Sequence, residues 1–222
     1  IVSTMLSCTK NFEEINTDPN RPKTVNPGVV LGQLQYRIVN SSIGSARNFT
    51  HELMQVDAPR GSASGGGLHR YVVNPGAGVW NNFYSYLTDI EDIYFIASRL
   101  QENNYKAVAM IYKSWAYSIL TDLYGDVPLS QANQAASGLY QPAFDKQKDI
   151  YVQLLKNLDT ANTLLNNTKA WTYGGDMVYG GVNLKWRKFA NSLRLRLLLR
   201  ILKKDGEVNV REQINTILAN AT

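Results

Sequence analysis

The sequence predicts an all-α fold, a solenoid of helical hairpins interrupted by long irregular loops. Apolar residues recur at spacings of three and four through several long segments, and no run sustains the two-residue alternation of a half-buried strand. Helix start and stop residues flank those segments: Asn26-Pro27 before the first, Gly125 and Pro128 after a later one. Successive helices of roughly 20 residues are also joined in pairs, as in a solenoid of helical hairpins. A clean tetratricopeptide-length repeat is not visible, so periodicity alone does not establish the solenoid.

Along the chain, residues 9–25 include Pro19 and Pro22 in a turn-rich connector that cannot be helical. Asn26 then reads as an N-cap and Pro27 as the first helical residue, with Val30, Leu34 and Ile38 as the stripe. A second short helix is expected over 46–56. Residues 57–78 form a long glycine-rich loop, a length that in a compact domain tends to carry function. The next helix, 79–101, presents Phe83, Leu87, Ile90, Ile93 and Ala97. The helix over 104–123 carries Ala107, Ile111, Trp115 and Ile119, with Ala109 and Ala116 small enough for close packing. Gly125 suits its C-terminus, and Pro128 stands where the helix cannot continue. A helix from Asp145 carries Ile150, Leu154, Leu158, Ala161 and Leu165. A Gly- and Tyr-rich turn region, 171–181, precedes a basic helix over 183–204, read as an inner helix packed on two sides, and a shorter one over 210–218.

Charge excludes one class of function. The net charge of +5 resides in the basic helix, where Lys185, Arg187, Lys188, Arg194, Arg196, Arg200, Lys203 and Lys204 stand without an acidic residue. Without those eight the remaining chain is net negative, so there is no general basic surface for nucleic acid. The arginines alternate with Leu193, Leu195, Leu197 and Leu199, which suits aliphatic stems lying over an apolar face. No stretch is long and apolar enough for a transmembrane helix.

No catalytic, metal or cofactor site is visible. His51 and His69 lack acidic or cysteine companions at ligand spacing. The run from Gly61 to Gly67 has no Gly-Lys-Ser/Thr after it, and Ala63 stands where a nucleophile elbow needs serine. Glu13/Glu14 and Glu91/Asp92 are adjacent pairs, which do not converge on a substrate when helical. Asp57, Asp89, Asp122 and Asp126 lack the spacing of a calcium loop.

Aromatic residues are the chain's conspicuous supply, with 13 tyrosines and 4 tryptophans. Several stand in or beside irregular segments: Tyr71, Trp80, Tyr84, Tyr140, Trp171, Tyr173 and Tyr179. His69, Arg70 and Tyr71, followed by Trp80, Asn81, Asn82 and Tyr84, combine ring faces, planar amides and a cation, a set suited to sugars. A ring face covers sugar C–H groups while amides and guanidinium bind hydroxyls, with stacking adding ~0.5–1.5 kcal/mol by analogy with aromatic pairs. Trp80 and Tyr84 equally fit the first buried turn of their helix.

The single cysteine, Cys8, follows Met5-Leu6-Ser7. That order resembles a bacterial lipobox, after which the cysteine becomes the acylated first residue; an inert reduced thiol is the other reading. On the lipobox reading, residues 1–7 are the remnant of a signal peptide, 8–25 a lipidated tether and 26–222 the helical domain.

Four segments together resemble the SusD/RagB family of outer-membrane nutrient-binding lipoproteins, in its SusD-like branch. They are Ser7-Cys8-Thr9-Lys10-Asn11-Phe12 with Ile15 to Asn20; Asp122-Leu123-Tyr124-Gly125-Asp126-Val127-Pro128-Leu129; Tyr140 to Asp145 leading into Ile150-Tyr151 and Leu158 to Ala161; and Lys185-Trp186-Arg187-Lys188-Phe189-Ala190-Asn191-Ser192-Leu193-Arg194-Leu195-Arg196. The resemblance implies a tetratricopeptide-like scaffold whose basic-helix arginines pair with neighbouring helices. It implies a non-catalytic lipoprotein on the cell's outer membrane, held to lipid through Cys8. That protein captures an oligosaccharide and acts as lid for a SusC-like TonB-dependent transporter. The same lid role for peptides, or a tetratricopeptide-like scaffold binding proteins alone, are the alternatives. Family members are considerably longer, so the resemblance also implies that this is an N-terminal portion.

Overall fold

A computed structural model describes residues 25–56, 70–71 and 78–219. Cys8 and His69 lie outside the described residues, as do the tether and most of the glycine-rich loop. The described residues are all-α, with α1 (Pro27–Ala46), α2 (Gly78–Arg99), α3 (Asn103–Tyr124), α4 (Gln147–Leu164), α5 (Asn183–Arg200), α6 (Asp205–Val208) and α7 (Val210–Ala219). Each long helix packs on the next, α1 on α2, α2 on α3, α3 on α4 and α4 on α5, with α7 closing against α5. This succession is the hairpin solenoid.

The start of α1 follows its sequence signals. Asn26 is extended, and its side-chain oxygen accepts from Val29 N–H at 3.1 Å while Pro27 opens the helix. Leu31, Leu34 and Ile38 are completely buried. The separate helix expected over 46–56 is absent. Instead α1 runs on into a π-turn, Arg47–His51, with Ser42 and Thr50 hydroxyls donating to the carbonyls of Ile38 and Ala46. Such hydroxyl bonds to the carbonyl four residues back compete with the backbone ladder and bend helices, in keeping with the change of helical pitch here.

The most enclosed helix is α3, held between α2 and α4. Ala107 and Ile111 bury as the periodicity predicts, whereas Trp115 and Ile119 are only partly buried. Tyr112, Tyr117 and Leu120 complete the buried surface, because two flanking helices widen the apolar face beyond one stripe. Ala109 and Ala116 are buried too, consistent with close helix approach. The basic helix has α4 and α7 as neighbours and touches α3, yet Leu184 and Leu199 remain exposed. Its helical part ends at Arg200 rather than Lys204, and Leu202–Lys204 forms a short 3-10 turn.

The segment after α3 works as a clamp. Gly125 adopts φ +75°, a backbone state strained for other residues, and its N–H reaches Thr121 O at 2.9 Å. The Asp126 carboxylate then accepts from Gln147 N–H at 2.9 Å, at the first turn of α4. Asp145 stands before α4 but turns elsewhere: its carboxylate accepts from Leu129 N–H at 2.7 Å and Ser130 N–H at 2.8 Å. A bridge between Val127 and Asp145 lies between these reciprocal contacts.

Candidate functional site

Trp80, in the first turn of α2, is the centre of an aromatic group at one end of the hairpins. Its ring centroid lies 4.8 Å from Tyr84, 5.2 Å from Tyr124 edge-on and 6.2 Å from Phe144, whose plane is inclined by only 27°. The group draws on α2, the last residue of α3 and the loop before α4. Trp80 and Tyr84 are partly buried against the core, while Tyr124 and Phe144 are 39% and 62% exposed. The Tyr84 hydroxyl donates to Pro128 O at 2.7 Å. Burial pushes its phenol well above the ordinary value, and the Asp145 charge adds to that, so Tyr84 stays protonated as a donor.

The loop bearing Phe144 is tied on both sides. Ala143 N–H donates to Gln131 Oε1 at 2.8 Å, and Asp145 N–H donates to Val127 O at 3.1 Å. Desolvation acts to raise the Asp145 carboxyl, but hydrogen bonds from Ser130 and Leu129 prevail and hold it below the ordinary value. Hydrogen bonds thus hold the backbone on both sides of Phe144.

The sequence-selected residues divide between packing and exposure. Arg70, Tyr71 and Asn81 are exposed, and Tyr71 has φ +59°. Among the described residues, no hydrogen bond or ring contact joins Arg70 or Tyr71 to Trp80, Asn81 or Tyr84. Asn82 donates to Ser41 Oγ at 3.3 Å. Sequence periodicity did not single out Tyr124 and Phe144, because one is a helix terminus and the other belongs to no helix. The Tyr-Gln-Pro-Ala-Phe-Asp run was the available signal.

At the other end of α3, rings and polar groups build a structural knot. Tyr105 donates to Gly174 O at 2.7 Å and accepts from Tyr173 N–H at 3.0 Å, while Trp171 Nε1 donates to Asn183 Oδ1 at 2.7 Å. Asp176 accepts from Gln35 Nε2 at 3.0 Å, Val178 N–H at 3.0 Å, Gly181 N–H at 2.8 Å and Trp186 Nε1 at 2.7 Å. Desolvation opposes its ionisation, but the Trp186, Gly181 and Gln35 donors outweigh that and hold the carboxyl below its ordinary value. Much of the aromatic supply in this region is thus spent on folding.

The arginines of α5 meet neighbours as the family resemblance implied. Arg187 donates to Asn162 and Asn166 at 3.2 and 3.0 Å. Arg194 pairs with Asp159 and donates to Gln213 at 3.0 Å, and Arg200 pairs with Asp122. Asp122, Arg200, Lys148 and Glu207 also line a groove of about 430 Å³, where Lys148 and Glu207 lie 2.7 Å apart. Lys204 lines it too and lies 3.5 Å from the same Glu207, so every charged side chain of the groove already stands in an ion pair. Asp89 pairs with Arg37 and Asp126 with Lys146, so these candidate oxygen donors also serve ion pairs. Among the described residues, no group of three or more side chains is placed to hold a metal ion.

A helical-hairpin scaffold with a tied aromatic surface has the makings of a binding protein. The chain belongs to the SusD/RagB family: the SusD-like family described as starch-binding and associating with the outer membrane matches residues 19–222. A Bacteroides vulgatus outer-membrane protein, whose description connects it with nutrient binding, is 26% identical with a TM-score of 0.71. That match covers 89% of this chain and 41% of the other. A SusD homologue from Bacteroides fragilis is 22% identical with a TM-score of 0.66, over 89% of this chain and 41% of that one, and bears on the fold alone. A chitin-binding SusD homologue from Flavobacterium johnsoniae is 27% identical with a TM-score of 0.57, covering 66% of this chain and 31% of its own. The chain thus spans less than half the length of these solved relatives. No curated protein matches it.

Proposed function

We propose that this chain is the N-terminal helical part of a non-catalytic, surface-exposed lipoprotein that captures an oligosaccharide at the outer membrane. The family match over residues 19–222 carries the reading, because its description joins starch binding to the outer membrane. The chitin-binding relative supports a glycan as the ligand class. In this function residues 1–7 are the remnant of a signal peptide, Cys8 carries the lipid and residues 8–25 tether the helical domain. His69, Arg70, Tyr71, Trp80, Asn81 and Tyr84 are the proposed ligand-side residues. The captured glycan passes to a SusC-like TonB-dependent barrel over which the protein closes as a lid. Binding and release need no bond to be made or broken.

The test is purification of the full-length lipoprotein from its native membrane in mild detergent, followed by glycan-array screening. Recovery with a TonB-dependent barrel and retention of oligosaccharides are expected. Recovery with cytosolic proteins alone would reject the lid. Retention of peptides in place of glycans would reassign the ligand.

A further inference from the structure

We propose that the outward face of Phe144, stacked over Trp80, is the stacking platform for a pyranose unit of the captured glycan. The proposal rests on the glycan reading and adds to its ligand-side residues a ring that the sequence periodicity did not reveal.

Trp80 is the obvious choice from sequence, but its surroundings make it a base. Tyr84, Tyr124 and Phe144 all lie within 6.2 Å of its ring centroid, and it packs against the core. Phe144 is stacked over that base with 62% of its surface exposed. A loop free to move could turn the ring inward, yet this loop is tied at Ala143 by Gln131 and at Asp145 by Val127, Leu129 and Ser130. The backbone on both sides of the ring is thus held by these bonds, which reduces the ordering cost of binding.

The neighbouring chemistry fits a neutral sugar. A phenyl face covers the C–H side of a pyranose, while hydroxyls need donors and acceptors at the rim. Lys146, two residues after Phe144, is ion-paired with Asp126 at 2.7 Å, and this exposed pair offers a donor and acceptors without a net charge to select an ionic ligand. Tyr140 provides a contrast. It is 78% exposed, but among the described residues no ring contact supports it.

Calorimetry of the full-length protein with malto-oligosaccharides and chito-oligosaccharides tests the platform. Phe144→Ala is expected to weaken whichever is bound by about tenfold, whereas Tyr140→Ala changes affinity less than about twofold. Phe144→Trp is expected to retain binding, with the introduced indole's fluorescence changing as oligosaccharide saturates. This second variant provides a readout independent of the alanine change. Wild-type binding with an unchanged Phe144→Ala affinity, or no fluorescence response from Phe144→Trp while it binds, would overturn the platform and leave glycan capture standing. Failure of the unaltered protein to bind these series or any other oligosaccharide on the glycan array would overturn both.

Discussion

Replacing Asp176 with asparagine tests the knot that joins the Gly- and Tyr-rich loop to α1 and α5. The side chain keeps its shape, but one acceptor oxygen becomes a donor facing other donors. One carboxylate oxygen accepts from Gly181 N–H and Trp186 Nε1; the other accepts from Gln35 Nε2, Val178 N–H and, at 3.3 Å, Tyr179 N–H. Either amide orientation therefore strands at least two donors, and Trp186 is only 1% exposed. An unsatisfied buried donor costs about 1–3 kcal/mol, so the expected loss is about 3 kcal/mol after allowing for water at the more exposed loop. For a chain of this size that is a Tm decrease of roughly 6–12 °C. Denaturant unfolding followed by tryptophan fluorescence measures it. A loss below ~0.5 kcal/mol, the size of an ordinary surface substitution, would refute the role given to Asp176.

Acid sensitivity follows from the same group and from Asp145. Both folded-state carboxyls lie below their ordinary values, so their stabilisation is present above the unfolded carboxylate pKa and is lost as pH falls through the folded values. A pH series should show falling stability on the acid side, with a shallower slope in Asp176→Asn. Gly28→Ala should destabilise by ~1–3 kcal/mol although alanine ordinarily favours a helix, because its Cβ would stand 2.7 Å from Gly174 O and 2.8 Å from Tyr173 O. Thermal melting decides the sign. Asn26→Ala should cost about 1 kcal/mol through loss of the Val29 N–H bond, measured in the same melts. Tyr84→Phe should cost a similar amount by leaving Pro128 O without its phenol donor.

Local chemistry made much of the scaffold legible. Asn26-Pro27 announces α1, Gly125 ends α3, and the stripe from Ile150 to Leu165 lies on the buried face of α4 and its C-terminal residue. The width of the α3 core was less legible, since burial of Tyr112 and Tyr117 depends on helices from either side. The reciprocal use of Asp126 and Asp145 was hidden for the same reason: each carboxylate bonds residues distant in sequence. At the candidate site, the set of rings and amides beside the loop pointed to Trp80 and Tyr84. It could not reveal Phe144, whose exposure results from a loop held by Gln131, Val127 and Asp145. Composition likewise showed an aromatic excess without separating core rings from those on the surface. Trp171 and Tyr179 pack against the core, whereas Phe144 is exposed.

Glycan capture is tested most directly by titrating the lipid-free full-length protein with oligosaccharides and, in parallel, with peptides. The proposed function predicts saturable binding to at least one oligosaccharide series and none to peptides. Saturable peptide binding with no response to any oligosaccharide would contradict it.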